Sequence, residues 1–332
     1  MNNEYYDKGR IEYFDMAKGL GMMCIIAGHM GINIVNRCVY TFHIPFFMLI
    51  SGYFISTNNS IKNFGKKRVK ALTIPYAVTC ILLMVAELIN CAIHKNGKVL
   101  NKIFGIFVSG VYGSGNERNL SPSGIEPIGA IWFLPALLWA AILVRWAIEN
   151  RYGWIVIVLW SVAAFWSAQY IWLPFDVQAA GFAAIYVFIG AFARKRQFSF
   201  DKQNTIAIIG GAIVLAIEFL TKSGVAVDRC YAQNGFLSIP GAVVISYFVL
   251  WFVKKLERVY CIKKVLCFFG ENSIIILSLH LVELKNIPWD MITHFPWQIV
   301  NLICIFAYKL LFVSVCSVIV LKIKPLRKWY GR

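Results

Sequence analysis

A chain of 332 residues with 59% hydrophobic, 15% aromatic and only 15% charged content is excluded from the ordinary water-soluble folds. Its formal net charge of +17 would suit nucleic acid if the basic residues formed one patch, but they lie in short connections between apolar runs, the pattern that orients a membrane protein. The composition therefore specifies an all-α, polytopic membrane bundle with no nucleic-acid partner.

Ten apolar runs are long enough, or nearly so, to cross a bilayer: 14–35, 38–56, 71–93, 128–148, 153–171, 178–193, 204–221, 235–253, 265–284 and 298–321. With the N-terminus inside, the cytoplasmic connections hold 23 Lys and Arg and the outward ones hold eight, Arg37, Lys95, Lys98, Lys102, Arg118, Lys222, Arg229 and Lys285. Both termini are thus expected in the cytoplasm. The opening MNNEYYDKGRIEYF is polar and no small-residue cleavage site follows the first span, so that span is expected to stay.

No linker or low-complexity tract divides the chain, and 1–332 is expected to be one transmembrane domain. Within it, 94–127 contains GVYGSGNERNLSPSGIEP, whose Gly, Ser, Asn and Pro content reads as an exterior or re-entrant loop. Nine cysteines, mostly inside apolar runs and without a CxxC pair, argue against a disulfide framework and a zinc site, so no metal is expected.

Ionisable residues inside spanning segments cost about 2.5–3.5 kcal/mol each at the bilayer centre and mark function by default. The first span carries Asp15, Lys18 and His29, and the second carries His43. In a continuous helix, eleven residues at about 100° each bring Lys18 and His29 to within roughly 20° on one face, about 16 Å apart along the axis. Counted from the expected helix starts, His29, His43, Glu87, Glu218, His280 and Glu283 fall in the outer half, Asp15 and Lys18 at the cytoplasmic end, and Lys309 near mid-depth. Such a set describes a polar path leading to an outer chamber, in an enzyme or in a proton-coupled transporter of a small solute.

Four segments, RIEYFDMAKGLGMMCIIAGH, FHIPFFMLISGYF, IWFLPALL at 131–138 and FGENSIIILSLH at 269–280, occur in an order that resembles acyltransferase family 3 over most of the chain. That resemblance implies a multi-pass enzyme of the bacterial cytoplasmic membrane. Its reaction would be transfer of an acyl group, most often acetyl from acetyl-CoA, to a hydroxyl of a cell-surface glycan or its lipid-linked precursor. Carried over by position, His29 matches the family's essential histidine, Lys18 its basic partner and Asp15 the acidic position three before. His43 and Pro45 match the second-span motif, and Trp132 the aromatic that opens the fourth span. A basic pair where the third span leaves the cytoplasm is matched by Arg68 at its first position, whereas Ala71 occupies the second; Lys67 and Lys70 stand nearby as substitutes for holding CoA.

The chemistry suits those residue types on its own terms. A sugar hydroxyl attacking a thioester needs a general base, and imidazole has the side-chain pKa nearest neutrality. His29 is therefore the expected base, and the resemblance adds Lys18 and Asp15 to the expected catalytic residues; His43, Trp132, His280 and Glu283 are the expected acceptor-binding set, Trp132 by the same resemblance. Acyl-CoA phosphates would meet Lys67, Arg68 and Lys70. Expected partners are acyl-CoA, a glycan or lipid-linked glycan, and membrane lipids; homo-oligomerisation is left open.

Overall fold

The computed structural model describes residues 11–94, 98–115, 125–197, 205–221, 224–233, 238–289 and 297–331. The chain opens with α1 (Glu12–Gly28), α2 (Asn33–Val39), α3 (His43–Tyr53), α4 (Ile61–Ile93) and α5 (Val99–Tyr112). A 3₁₀ turn at Ala130–Trp132 leads into α6 (Phe133–Ala147), and α7 (Gly153–Ser167), α8 (Val177–Lys195), α9 (Thr205–Leu220) and α10 (Ser238–Leu256) follow. The rest comprises α11 (Tyr260–Glu271), α12 (Ser273–Asn286), α13 (Gln298–Lys322) and the short α14 (Lys324–Trp329). Two two-residue strands, β1 (Val225–Ala226) and β2 (Tyr231–Ala232), pair antiparallel with Val225 opposite Ala232.

This is the helical membrane bundle that the composition predicts, and every one of the ten apolar runs contains a helix. Among the described residues, six helical segments are long and apolar enough to cross a membrane, or seven if the bent pair α11 and α12 is one span. The apolar helices Val99–Tyr112, Gly153–Ser167 and Ile208–Ile217 are shorter than a full crossing.

Two expectations change. The 94–127 stretch is only partly loop, because VLNKIFGIFVSGVY places its apolar residues at helical spacing and forms α5, tied to α4 by the Tyr76 hydroxyl donating to the Gly110 carbonyl at 2.7 Å. Residues 116–124, the centre of the expected loop, lie outside the described residues, as does the side chain of Glu218. The first run is not one helix from 14 to 35 either: α1 stops at Gly28, and Gly31 turns the chain at φ +74° before α2 begins. A left-handed residue of this kind ends a helix, and glycine takes it without steric cost.

Close approaches set the positions of the helices that matter. A Cβ at Gly19 would lie 1.9 Å from the Leu266 carbonyl oxygen, and one at Gly270 would lie 1.7 Å from that of Asp15, so α1 and α11 touch backbone to backbone. Gly52 and Gly190 do the same for α3 and α8, with the missing Cβ atoms 1.9 and 2.0 Å from the Val187 and Leu49 carbonyl oxygens. Without a hydrophobic driving force between helices in lipid, such small-residue contact is how spans associate. After Gly270 the chain bends by 76° between α11 and α12. The Asn272 side chain sits in that bend and donates to the Phe268 carbonyl at 2.8 Å. α12 is thereby carried across the end of α1, and His280 arrives beside His29.

Candidate active site

His29 is the C-cap of α1, with φ −81° and ψ 4°, its N–H bonded to the Ile25 carbonyl. The end of the helix beneath it is closed from outside: the Tyr40 hydroxyl donates to the Gly28 carbonyl at 2.9 Å, satisfying an acceptor that the helix itself leaves open. The residue is thus held at a terminus instead of projecting from mid-helix, which frees the imidazole to face a cavity of about 720 Å³.

His43 opens α3 on the same cavity. Its Nδ1 is 2.9 Å from the Val39 carbonyl oxygen, and since a carbonyl only accepts, Nδ1 carries the proton and Nε2 is the basic nitrogen of the neutral ring. The Tyr40 ring lies 5.2 Å from it, centroid to centroid. Trp132 forms part of the wall and is 95% buried against Gly115, where a Cβ would stand 2.3 Å from the indole. The hairpin closes one side of the mouth, with the Val225 N–H donating to the Tyr40 carbonyl at 3.3 Å. At the inner end the wall is apolar, reaching Met22, Phe47 and Leu277.

His280 and Glu283 take a different position from the one expected for acceptor binding. Both are fully buried and stand off the cavity wall, behind His29. The rings of His29 and His280 are 5.3 Å apart between centroids and inclined at 48°. His280 Nδ1 donates to Glu283 Oε1 at 2.7 Å, and its buried Nε2 has no hydrogen-bond partner among the described residues. Glu283 also accepts from the Lys309 ammonium at 3.1 and 3.2 Å and from the Trp289 indole N–H. Four polar groups that would each be costly alone in an apolar bundle thus satisfy one another, and the result fixes the tautomer of His280.

Lys18 and Asp15 pair with each other at 2.7 Å, i to i+3, and neither lines the cavity. They share α1 with His29 but belong to its opposite end, where Gly270 packs against the Asp15 carbonyl. The expected basic set is also apart from the cavity: Lys67 and Lys70 are exposed on α4, and the Arg68 guanidinium lies over the Phe64 ring at 5.3 Å. Other residues reach the cavity that the sequence did not single out, among them Asn33, Arg37, Tyr40, Asp228, Arg229 and Lys285. Their only sequence signal is position: Asn33, Arg37 and Tyr40 lie at or between the ends of the first two runs, and Asp228, Arg229 and Lys285 in later outward connections.

A cysteine acyl carrier on the hairpin is disfavoured, because burial first, with Asp176 and Asp228 adding to it, pushes the Cys230 thiol well above its usual range and keeps it protonated. The arrangement offers instead an open imidazole backed by a second, buried one. A family model described as an acyltransferase domain matches residues 11–321, nearly the whole chain. The chain belongs to acyltransferase family 3. Comparison with curated proteins and with solved structures gave no match. As a multi-pass membrane acyltransferase, the protein lines one cavity with His29 and His43 and places the buried His280 ring beside that of His29.

Proposed function

We propose that the protein moves an acyl group, most simply acetyl, from acyl-CoA to a hydroxyl of a cell-surface glycan or its lipid-linked precursor, in the bacterial cytoplasmic membrane. The observation that carries this reading is His29 at the cavity wall with the buried His280–Glu283–Lys309 chain behind it.

In this reaction His29 takes the proton of the acceptor hydroxyl as its oxygen attacks the thioester carbonyl. The tetrahedral intermediate collapses by breaking the carbon–sulfur bond, and the imidazolium returns the proton to the departing thiolate. An ester and free CoA thiol result, with no net change at His29. His280, held by Glu283 with its proton on Nδ1, offers Nε2 to the imidazolium of His29 and stabilises it, which makes it a positioning residue. His43 Nε2 accepts from a neighbouring sugar hydroxyl, and Trp132 supplies the flat face on which a sugar ring packs. The apolar inner end toward Met22 and Phe47 suits the acyl chain and its thioester. Lys67, Arg68 and Lys70, on the far part of α4, would take the CoA phosphates at the cytoplasmic face, and Lys18 with Asp15 would stand along the route between.

The test is thiol release from acetyl-CoA by membranes of the native host that still contain acceptor, wild type against His29→Ala at matched expression. Release that disappears in the variant supports the reading. Equal release from both overturns it.

A further inference from the structure

The cavity mouth is lined by three cations, Arg37, Arg229 and Lys285, and by one carboxylate, Asp228. All three cations come from outward connections, which by the orientation expected from sequence hold eight of the 33 basic residues. The charge bias that orients membrane proteins places lysine and arginine on the opposite side, so topology does not account for three gathered at one outer cavity.

The pairing of Arg229 and Lys285 is incomplete. Asp228 Oδ2 lies 3.6 Å from Arg229 Nε, beyond hydrogen-bond distance, and that buried Nε has no hydrogen-bond partner among the described residues. Lys285 makes no ion pair among them at all: Glu87, one of the two carboxylates whose field reaches it, is engaged by Lys102 at 2.6 Å, and the other, Glu126, is exposed. The Lys285 stem is nevertheless placed, running past Gly129, where an added Cβ would meet its Cε at 3.7 Å. Gly129 itself lines the cavity at φ +90°. Beside the cations stand Asn33, Asn36, Tyr40 and Gln233, groups suited to sugar hydroxyls.

We propose that the acceptor is anionic, bearing a carboxylate or phosphate that Lys285 and Arg229 bind at the cavity mouth while a hydroxyl of the same molecule meets His29. The proposal rests on the acyl-transfer reading for its chemistry but not for its binding site. Two sources share this chemistry, a uronic-acid sugar and the diphosphate of a lipid carrier.

The experiment measures binding to the full chain in phosphatidylcholine nanodiscs, using trigalacturonate, inorganic pyrophosphate, neutral maltotriose, and adenosine 3′,5′-bisphosphate as the stand-in for the CoA head. Trigalacturonate or pyrophosphate should bind about tenfold more weakly to Lys285→Gln, the scale of one lost charge-assisted contact, with recovery in Lys285→Arg and weakening by salt. A response to trigalacturonate assigns the anion to the sugar, and a response to pyrophosphate assigns it to the carrier. Unchanged binding of both in Lys285→Gln overturns the proposal, as does a loss confined to adenosine 3′,5′-bisphosphate, which would give these cations to the donor. Anion binding that depends on Lys285, together with thiol release unaffected by His29→Ala, would uphold the anion site while removing the acyl-transfer reading.

Discussion

His29 and His280 face each other at the junction of α1 and α12, their ring centroids 5.3 Å apart, one on the cavity wall and the other fully buried. The two rings therefore differ in what their loss should do. His29→Ala removes the base of the proposed reaction and should lower acyl transfer by about 10²- to 10⁴-fold. His280→Gln leaves the cavity lining intact, so kcat should fall while KM for the acceptor stays within about twofold, since the ground-state contacts are unchanged. A rise in KM without loss of kcat would return His280 to the acceptor-binding role that its sequence position suggests.

Glu283 is surrounded by donors, and this makes a stability prediction independent of any assay of activity. Glu283→Ala leaves the ammonium of Lys309, a residue only 4% exposed, without its carboxylate, and should cost about 3–5 kcal/mol. Replacing both by apolar residues of similar size, Glu283→Leu with Lys309→Met, should recover most of that loss, because the expense lies in the unpaired charge. Thermal unfolding in nanodiscs decides it. A single variant as stable as wild type would mean that water or lipid headgroups reach Lys309 freely.

The contact of α1 with α11 is what brings the two histidines together, so its disruption should act at a distance. Gly270→Ala puts a Cβ into the Asp15 carbonyl, and the helices must part, at about 1–3 kcal/mol or more for overpacking. Activity should fall further than that stability loss alone explains, since His280 moves with α12. Gly65→Ala, in α4 with nothing within 4 Å of the added Cβ, is the matched control and should be neutral or slightly stabilising. Equal behaviour of the two variants would sink the idea that this junction sets the site.

The sequence signals that carried the reading turn out to have separate physical jobs. In FGENSIIILSLH, Gly270 makes the backbone contact with α1, Asn272 occupies the bend, and His280 lands beside His29. In FHIPFFMLISGYF, His43 faces the cavity and Gly52 meets α8. Periodicity located the helices, and charge at membrane depth located Asp15, Lys18, His29, His43, His280, Glu283 and Lys309. Which of these share a cavity was not legible, because that depends on where helices end and bend. The arithmetic that put Lys18 and His29 on one face needs only a helix from one to the other, and α1 supplies it, with the His29 N–H still bonded to the Ile25 carbonyl. What it could not tell was how far the cavity follows that face, and Lys18, about 16 Å along the axis, is absent from the lining. Likewise Lys285 and Arg229 read as ordinary connection residues until the fold brings a hairpin and the end of α12 to the same mouth.

The cavity's depth bears on how an acyl donor and an acceptor entering from opposite faces of the membrane, as the proposed reaction has them, would meet. It extends along α1 from His29 to Met22, seven residues or about 10 Å, yet does not include Lys18 one turn further on. An acyl donor arriving from the Lys18 end would therefore need to present only its thioester to His29, leaving its nucleotide outside the bundle, while the acceptor enters at the hairpin. Sealed vesicles from the native host test this without knowledge of the acceptor. Acetyl-CoA added outside inverted vesicles should release thiol, because the acceptor is trapped within, whereas right-side-out vesicles should release none until permeabilised. Equal release from intact vesicles of both orientations would show that donor and acceptor reach His29 from one face, and the opposed-entry arrangement would then be wrong.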